Sequence, residues 1–224
     1  YDVHRVLQLL FDTDSLLELR RDFGVGMVTA FARVEGVPVG VVANNPGHLA
    51  GAIDSDGADK AARFLQLCDA FDIPVVTLVD TPGMMVGPAI EATALVRHCT
   101  RLFVVGANLT VPMVSIVLRK CFGLGAQTMA AGSLKAPLLT VAWPTGEFGG
   151  MGLEGAVRLG YRNELEAATT PEAKDVWTHA DPEIARVTHV SLNLDVDFAT
   201  RTLGGTATLD LLTAKNAQAI VLDA

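Results

Sequence analysis

The chain has 224 residues, half of them hydrophobic and 19% charged, which permits a sizeable core and excludes a disordered tail protein. Its 17 basic and 25 acidic side chains leave a net charge of −8, which argues against a nucleic-acid binder with a basic face. The three cysteines, Cys68, Cys99 and Cys121, form no CxxC pair, so no zinc knuckle is expected and a reducing, cytoplasmic setting is.

The apolar spacing of Val3, Val6, Leu7, Leu9 and Leu10 predicts a helix at the start of the chain. Asp14-Ser15 reads as the start of a second helix over Leu16 to Leu19. Met27 to Val34 and Val37 to Ala43, joined by Glu35-Gly36, predict a β-hairpin. A glycine-bearing loop from Asn44 to Asp54 leads into an amphipathic helix over Asp56 to Phe71. Pro74 to Val79 is a short apolar strand that ends in Asp80-Thr81-Pro82-Gly83. Ile90 to Cys99 reads as helix, Leu102 to Val105 and Val111 to Leu118 as strands, and Gly123 to Ala131 as the start of a small-residue helix. Leu138 to Ala142 is another strand, followed by helices over Gly152 to Leu159 and Asn163 to Ala168. Strands alternating with helices in this way point to an α/β fold with parallel strands.

The end of the chain has a different grammar. Val190, Leu192, Leu194, Val196 and Phe198 alternate strictly with polar residues, as a half-exposed antiparallel strand requires. Alternation resumes from Thr202 to Leu211 after a turn at Ala199-Thr200-Arg201, and a third run begins at Ile220. The expected organisation is a first domain over residues 1–168, a linker over 169–184 rich in Thr, Pro and Asp, and a β-rich tail over 185–224. Leu102 to Leu118 is the longest uncharged run, but at 17 residues interrupted by Asn108, Thr110 and Pro112 it predicts no membrane span. Residue 1 is Tyr and no signal peptide is visible, so a fragment or processed product is expected.

Four motifs bear on chemistry. Asp80-Thr81-Pro82-Gly83 resembles a GTPase loop, but no GxxxxGK[ST] phosphate cradle exists upstream. It remains a strand end, the place where open α/β sheets bind ligands. Gly123-Leu124-Gly125-Ala126 lies between a strand and a helix. Glycines there allow close backbone approach, and free N–H groups could hold an oxyanion; a plain tight turn fits the spacing as well. Gly146 to Gly152 is a second glycine-dense loop, with Glu147 and Glu154 as acid–base candidates or simple helix caps. Arg119-Lys120 could meet an anion or end a strand in solvent. The histidines are scattered and no HExxH or GxSxG occurs, so no metal or triad chemistry is expected.

Many ordered motifs together carry a resemblance. They are Tyr1-Asp2-Val3, Phe31-Ala32-Arg33-Val34-Glu35-Gly36, Val39 to Pro46, Asp54 to Phe64, Leu67 to Asp80, Pro82-Gly83, Val96-Arg97-His98, Arg119-Lys120, Ala142-Trp143-Pro144-Thr145 and Met151 to Val157. Over residues 1–166 the chain resembles the C-terminal half of the carboxyltransferase subunit of biotin-dependent acyl-CoA and propionyl-CoA carboxylases. The resemblance implies a crotonase-like α/β fold, a spiral of ββα units, here with a short antiparallel β tail. It implies transfer of CO2 from carboxybiotin to the α-carbon of an acyl-CoA, with the biotin-side oxyanion hole made by the backbone N–H groups of Leu124 and Gly125. Gly123, Ala126, Gln127, Pro82, Gly83 and Gly87 are then the substrate-binding residues. Where many relatives carry Gly-Gly-Ala-Tyr, this chain has Gly123-Leu124-Gly125-Ala126; backbone donors tolerate the change, but Leu adds bulk and Ala removes an aromatic wall.

The resemblance also implies partners. The family's N-terminal half, which carries most of the CoA site, is not in this sequence, so an N-terminal half or full subunit must complete the site. No Met-Lys-Met biotinylation motif occurs, so carboxybiotin is expected on a separate biotin carboxyl carrier protein or biotin carboxylase subunit. A homo-oligomer is expected, with no metal, nucleic acid or membrane. The rival readings are a non-catalytic assembly fragment and a crotonase-like subunit of a biotin-dependent acyl-CoA decarboxylase. Residues 185–224 resemble the first β-hairpin of an M1-type aminopeptidase, without that family's zinc motif.

Overall fold

The computed structural model describes residues 1–167, 185–197 and 202–213. The expected linker, the turn at Ala199 to Arg201 and the run from Ile220 lie outside the described residues. The chain divides into two compact units, Tyr1–Gly160 and Tyr161–Ala224.

In the first unit, α1 (Val3–Leu10) is capped by the Asp2 carboxylate, which accepts from the N–H of His4, and buries Val3 and Leu7. β1 (Leu17–Leu19) pairs antiparallel with β2 (Met27–Val34), which pairs antiparallel with β3 (Val37–Asn44). Glu35 and Gly36 both have positive φ, 49° and 82°, as a two-residue hairpin turn needs. α2 (Ser55–Ala70) follows, with Asp54 accepting from the N–H of Gly57 at 2.7 Å. β4 (Val75–Thr81) lies parallel to β3 and to β5 (Met113–Phe122). Between β4 and β5 run α3 (Pro88–Glu91) and α4 (Leu95–Ala107), and after β5 comes α5 (Gly123–Met129). β6 (Leu139–Ala142) and β7 (Glu147–Gly149) pair parallel with successive stretches of β5, and α6 (Leu153–Gly160) closes the unit. The seven strands form one mixed sheet. β2-β3-α2 and β6-β7-α6 are ββα successions.

Side-chain alternation splits the core into two layers. Met27, Val42, Val75, Val79, Val117 and Cys121 face α2, α4 and α5. Val28, Val41, Leu78 and Leu118 face α1. Within the sheet the Thr77 and Ser115 hydroxyls share a buried hydrogen bond of 2.8 Å, which satisfies two polar groups at adjacent positions of β4 and β5.

Three expectations need correction. Leu17–Leu19 is a strand, not a helix: Asp14 takes φ 56° and turns the chain, and pairing with β2 decides the rest. Ile90 to Cys99 is not one helix, because Ala94 at φ 56° separates α3 from α4. Leu102 to Val105 belongs to α4, whose buried residues Leu95, Cys99, Leu102 and Gly106 follow helical spacing. The expected hairpin forms between β2 and β3, and the strands from β3 to β6 pair parallel, as expected.

In the second unit, α7 (Arg162–Ala167) carries an Arg162–Glu166 pair at 2.9 Å, and β8 (Ala185–Asp197) pairs antiparallel with β9 (Thr202–Thr213).

Candidate functional site

The C-terminal ends of β4 and β5 lie side by side, Thr81 opposite Cys121, and each runs into a glycine segment. After β4 the Thr81 hydroxyl accepts from the N–H of Gly83 at 3.1 Å, and lies 3.0 Å from the Gly83 carbonyl as a donor. That carbonyl also accepts from the N–H of Ile53 at 3.0 Å. Gly83 is thus held in place at φ 129°, a conformation that side-chain-bearing residues rarely adopt.

After β5 the chain turns at Gly123, φ 57°, directly into α5. A Cβ on Gly123 would stand 2.9 Å from the carbonyl oxygen of Gly150, so the second glycine loop closes on this turn. A Cβ on Gly125 would stand 2.7 Å from the carbonyl carbon of Gly83. The structure therefore brings together Gly83, Gly123, Leu124 and Gly125 as a backbone-lined surface. The first-turn N–H groups of α5 have no acceptor within the helix, and the cap residue Phe122 brings no side-chain acceptor. Leu124 is exposed and Gly125 buried. The Thr128 hydroxyl donates to the Gly125 carbonyl at 2.7 Å, which fixes that turn from behind.

The other expected residues have separate places. Ala126 is buried in the core layer under α5, and Gln127 is exposed. Pro82 is exposed beside Gly83. Gly87, at φ 119°, begins α3, and nothing lies within 4 Å of where its Cβ would be. Of the two acid–base candidates, Glu154 pairs with Arg158 one turn on at 2.5 Å, and Glu147 is exposed on β7.

One polar cluster was not legible as a site residue set. Asp80 is fully buried where the β4–β5 register shifts. Its carboxylate accepts from the Tyr1 hydroxyl at 2.7 Å, from the backbone N–H of Lys120 at 3.2 Å and from Arg119 Nε, 3.3–3.4 Å from both oxygens. The Arg119 guanidinium also lies 5.7 Å from the Tyr1 ring centroid. Burial and the Asp80 carboxylate push the Tyr1 phenol well above its usual range, against the opposing pull of Arg119. Arg119 thus meets an anion of its own chain, while Lys120 Nζ donates to the Ala50 carbonyl at 3.1 Å. Asp80 supplies the acceptor that the register shift would otherwise deny Lys120, and so holds together the two strand ends that carry the glycine segments. The signal in the sequence was an Asp at a strand end and an Arg-Lys at another, 39 residues apart; only pairing unites them.

Among the described residues no group of three His, Cys, Asp or Glu side chains could hold a metal ion, and no helix is long and apolar enough to cross a membrane. Cys68, Cys99 and Cys121 are buried and free.

Comparison with known proteins adds the family. The chain is 40% identical over 174 residues to the carboxyltransferase subunit of propionyl-CoA carboxylase from Haloferax mediterranei, covering 78% of this chain and 34% of that one. It is 39% identical over 176 residues to a biotin-dependent acetyl-/propionyl-coenzyme A carboxylase beta5 subunit of Mycobacterium tuberculosis, covering 78% and 32%. The chain spans about a third of the length of these relatives. Among solved structures it is similar to a single-chain, multi-domain long-chain acyl-CoA carboxylase, with TM-score 0.71 and 62% identity over 72% of this chain and 17% of that one. It is also similar to the hexameric transcarboxylase 12S subunit, solved with methylmalonyl-CoA, with TM-score 0.70 and 39% identity over 77% of this chain and 33% of that one. The α/β fold is accordingly crotonase-like. Residues 1–198 match the carboxyl transferase domain, and the chain belongs to that family.

Proposed function

We propose that this chain is the C-terminal half of an acyl-CoA carboxyltransferase, moving CO2 from carboxybiotin to the α-carbon of an acyl-CoA. The observation that carries the reading is the backbone contact of Gly83 with Gly125, which leaves the first-turn N–H groups of α5 beside half-buried Gly83 and Gly123 in a chain of this family. Carboxybiotin, when bound, supplies the CO2. The backbone N–H groups of Leu124 and Gly125 would hold it by donating to its ureido oxygen, the atom that gains negative charge on loss of CO2. Donors fixed before the reaction need no reorganisation, and each such donor typically contributes ~3–4 kcal/mol to the transition state. Gly123 and Gly125 matter because side chains there would strike Gly150 and Gly83. Pro82 and Gly83 form the facing wall; Ala126, buried in the core under α5, packs that helix and does not reach the surface.

Asp80 and Arg119 position this surface and do not touch substrate. The biotin carrier, the N-terminal half with the CoA site and further copies of the subunit are separate partners. Large apolar side chains left exposed over residues 138–153, Leu138, Trp143, Phe148, Met151 and Leu153 among them, support such an assembly. For residues 185–224 no peptidase role is proposed.

The test is acyl-CoA carboxylation by the purified chain, with and without an N-terminal carboxyltransferase half and a carboxylated biotin carrier. Turnover only in the reconstituted mixture is expected. Robust turnover by the chain alone, or none in the full mixture, contradicts the reading.

A further inference from the structure

Three strands away from the glycine surface, at the β1–β2 edge of the sheet, a small cavity opens beneath α2. It measures about 50 Å³, and its walls include Leu19, Thr29 and Phe64 with the cations Arg20, Lys60 and Arg63. Lys60 is only 1% exposed, the largest of the fully buried side chains, whereas Arg20 and Arg63 are exposed at the rim. Among the described residues, none of the three cations has a hydrogen bond or ion pair to a side chain. The Thr29 hydroxyl is already used, donating to the Leu19 carbonyl at 3.1 Å.

A buried ammonium without a counter-ion is costly, and two like charges at the rim add to the cost. Burial pushes Lys60 below the usual lysine range; Glu18 opposes this, Arg20 reinforces it and Asp22 opposes it. Neither acid lies within ion-pair distance of Lys60. Glu18 is engaged with His4 at 3.2 Å and Arg21 at 3.6 Å. The chain as a whole carries a net charge of −8, so three unpaired cations converging on one cavity are not a consequence of composition.

We propose that this cavity binds a small free oxyanion, a carboxylate or phosphate group, with Lys60 beneath it and Arg20 and Arg63 at the rim. The ammonium acts as a point charge, and the two guanidinium forks offer paired N–H donors to the oxygens. The volume admits a group of a few heavy atoms and not a whole acyl-CoA. The proposal is independent of the carboxyltransferase reading, since it uses none of those residues.

The test is thermal unfolding of the full 224-residue chain in inorganic phosphate, in acetate and in chloride at equal ionic strength. Saturating phosphate or acetate should raise Tm by roughly 3 °C over chloride, and the larger of the two shifts identifies the favoured group. Arg20→Gln and Arg63→Gln are exposed changes that keep the fold, and each should weaken the anion by roughly tenfold. Lys60→Met should abolish the response and raise the anion-free Tm. Equal shifts in all three salts, or the same anion response in the wild type and both arginine variants, would overturn the proposal, whether or not Lys60→Met folds.

Discussion

A Cβ on Gly125 would stand 2.7 Å from the carbonyl carbon of Gly83 and 2.8 Å from its Cα. The end of β4 and the first turn of α5 therefore meet backbone to backbone, with no side chain between them. Contacts that short are not formed by real Cβ atoms, so one partner must move when a methyl is added.

Gly125→Ala should accordingly lower stability by about 1–3 kcal/mol through overpacking. Gly155→Ala is the control, because nothing lies within 4 Å of that position on exposed α6. It should be neutral or stabilising by up to about 1 kcal/mol. Urea unfolding of both variants checks the pair, and equal effects would deny the contact.

Asp80 should be the polar side chain that the strand ends can least spare. Removing it leaves Arg119, the Tyr1 hydroxyl and the Lys120 N–H without their acceptor, and Asp80→Ala should cost about 3 kcal/mol. Tyr1→Phe removes one donor and should cost about 1 kcal/mol. A double-mutant cycle between Asp80 and Arg119 should show coupling; additive losses would make the pair incidental.

Asp69 ties the end of α2 to the loop before β5. Its carboxylate accepts from the N–H of Thr110, the Thr110 hydroxyl and the N–H of Val111, at 2.7, 3.0 and 3.2 Å. The Thr110 N–H, with lesser help from its hydroxyl and the Val111 N–H, holds the Asp69 carboxyl below the usual range, against an opposing effect of burial second only to that of the Thr110 N–H. A depressed folded value means that this stabilisation is present above the ordinary carboxylate pKa and fades as pH falls through the folded one. The Tm gap between wild type and Asp69→Asn should be present at pH 7 and shrink as pH drops below about 4. A gap independent of pH would contradict the assignment.

The three thiols should be silent in the folded chain. Burial pushes Cys68 up to about 12 and Cys99 and Cys121 to about 11. None is a thiolate near neutrality, and none is accessible. A disulfide reagent at pH 8 should label no cysteine until denaturant is added, then all three. Fast native labelling of any one would show that its part of the core opens.

Legibility in the sequence followed local information. The hairpin at Glu35-Gly36 was readable because the turn residues and the flanking β-branched runs act within a few positions. α2 was readable from its apolar period. Leu102 to Val105 was not, because a four-residue apolar run suits a buried helix as well as a strand, and only the α2–α4 packing decides. β1 and β7, three residues each, exist through their partners β2 and β5, and short segments carry no period of their own. The glycine segments were legible as turns, and their meeting was not: Gly83 and Gly125 are 42 positions apart, and the parallel register of β4 and β5 is what joins them. Asp80 and Arg119 were hidden for the same reason.

The measurement that tests the account most directly compares Leu124→Pro with Leu124→Ala in a carboxyltransferase rebuilt with its N-terminal half. Proline removes one N–H at the second position of α5, where a helix tolerates it. Alanine keeps the N–H and trims an exposed side chain. If the Leu124 N–H meets the ureido oxygen, the proline variant should lose ~10²-fold or more in turnover while the alanine variant stays near wild type. Two folded variants with the same activity would contradict the account, and leave the glycine segment as a turn alone.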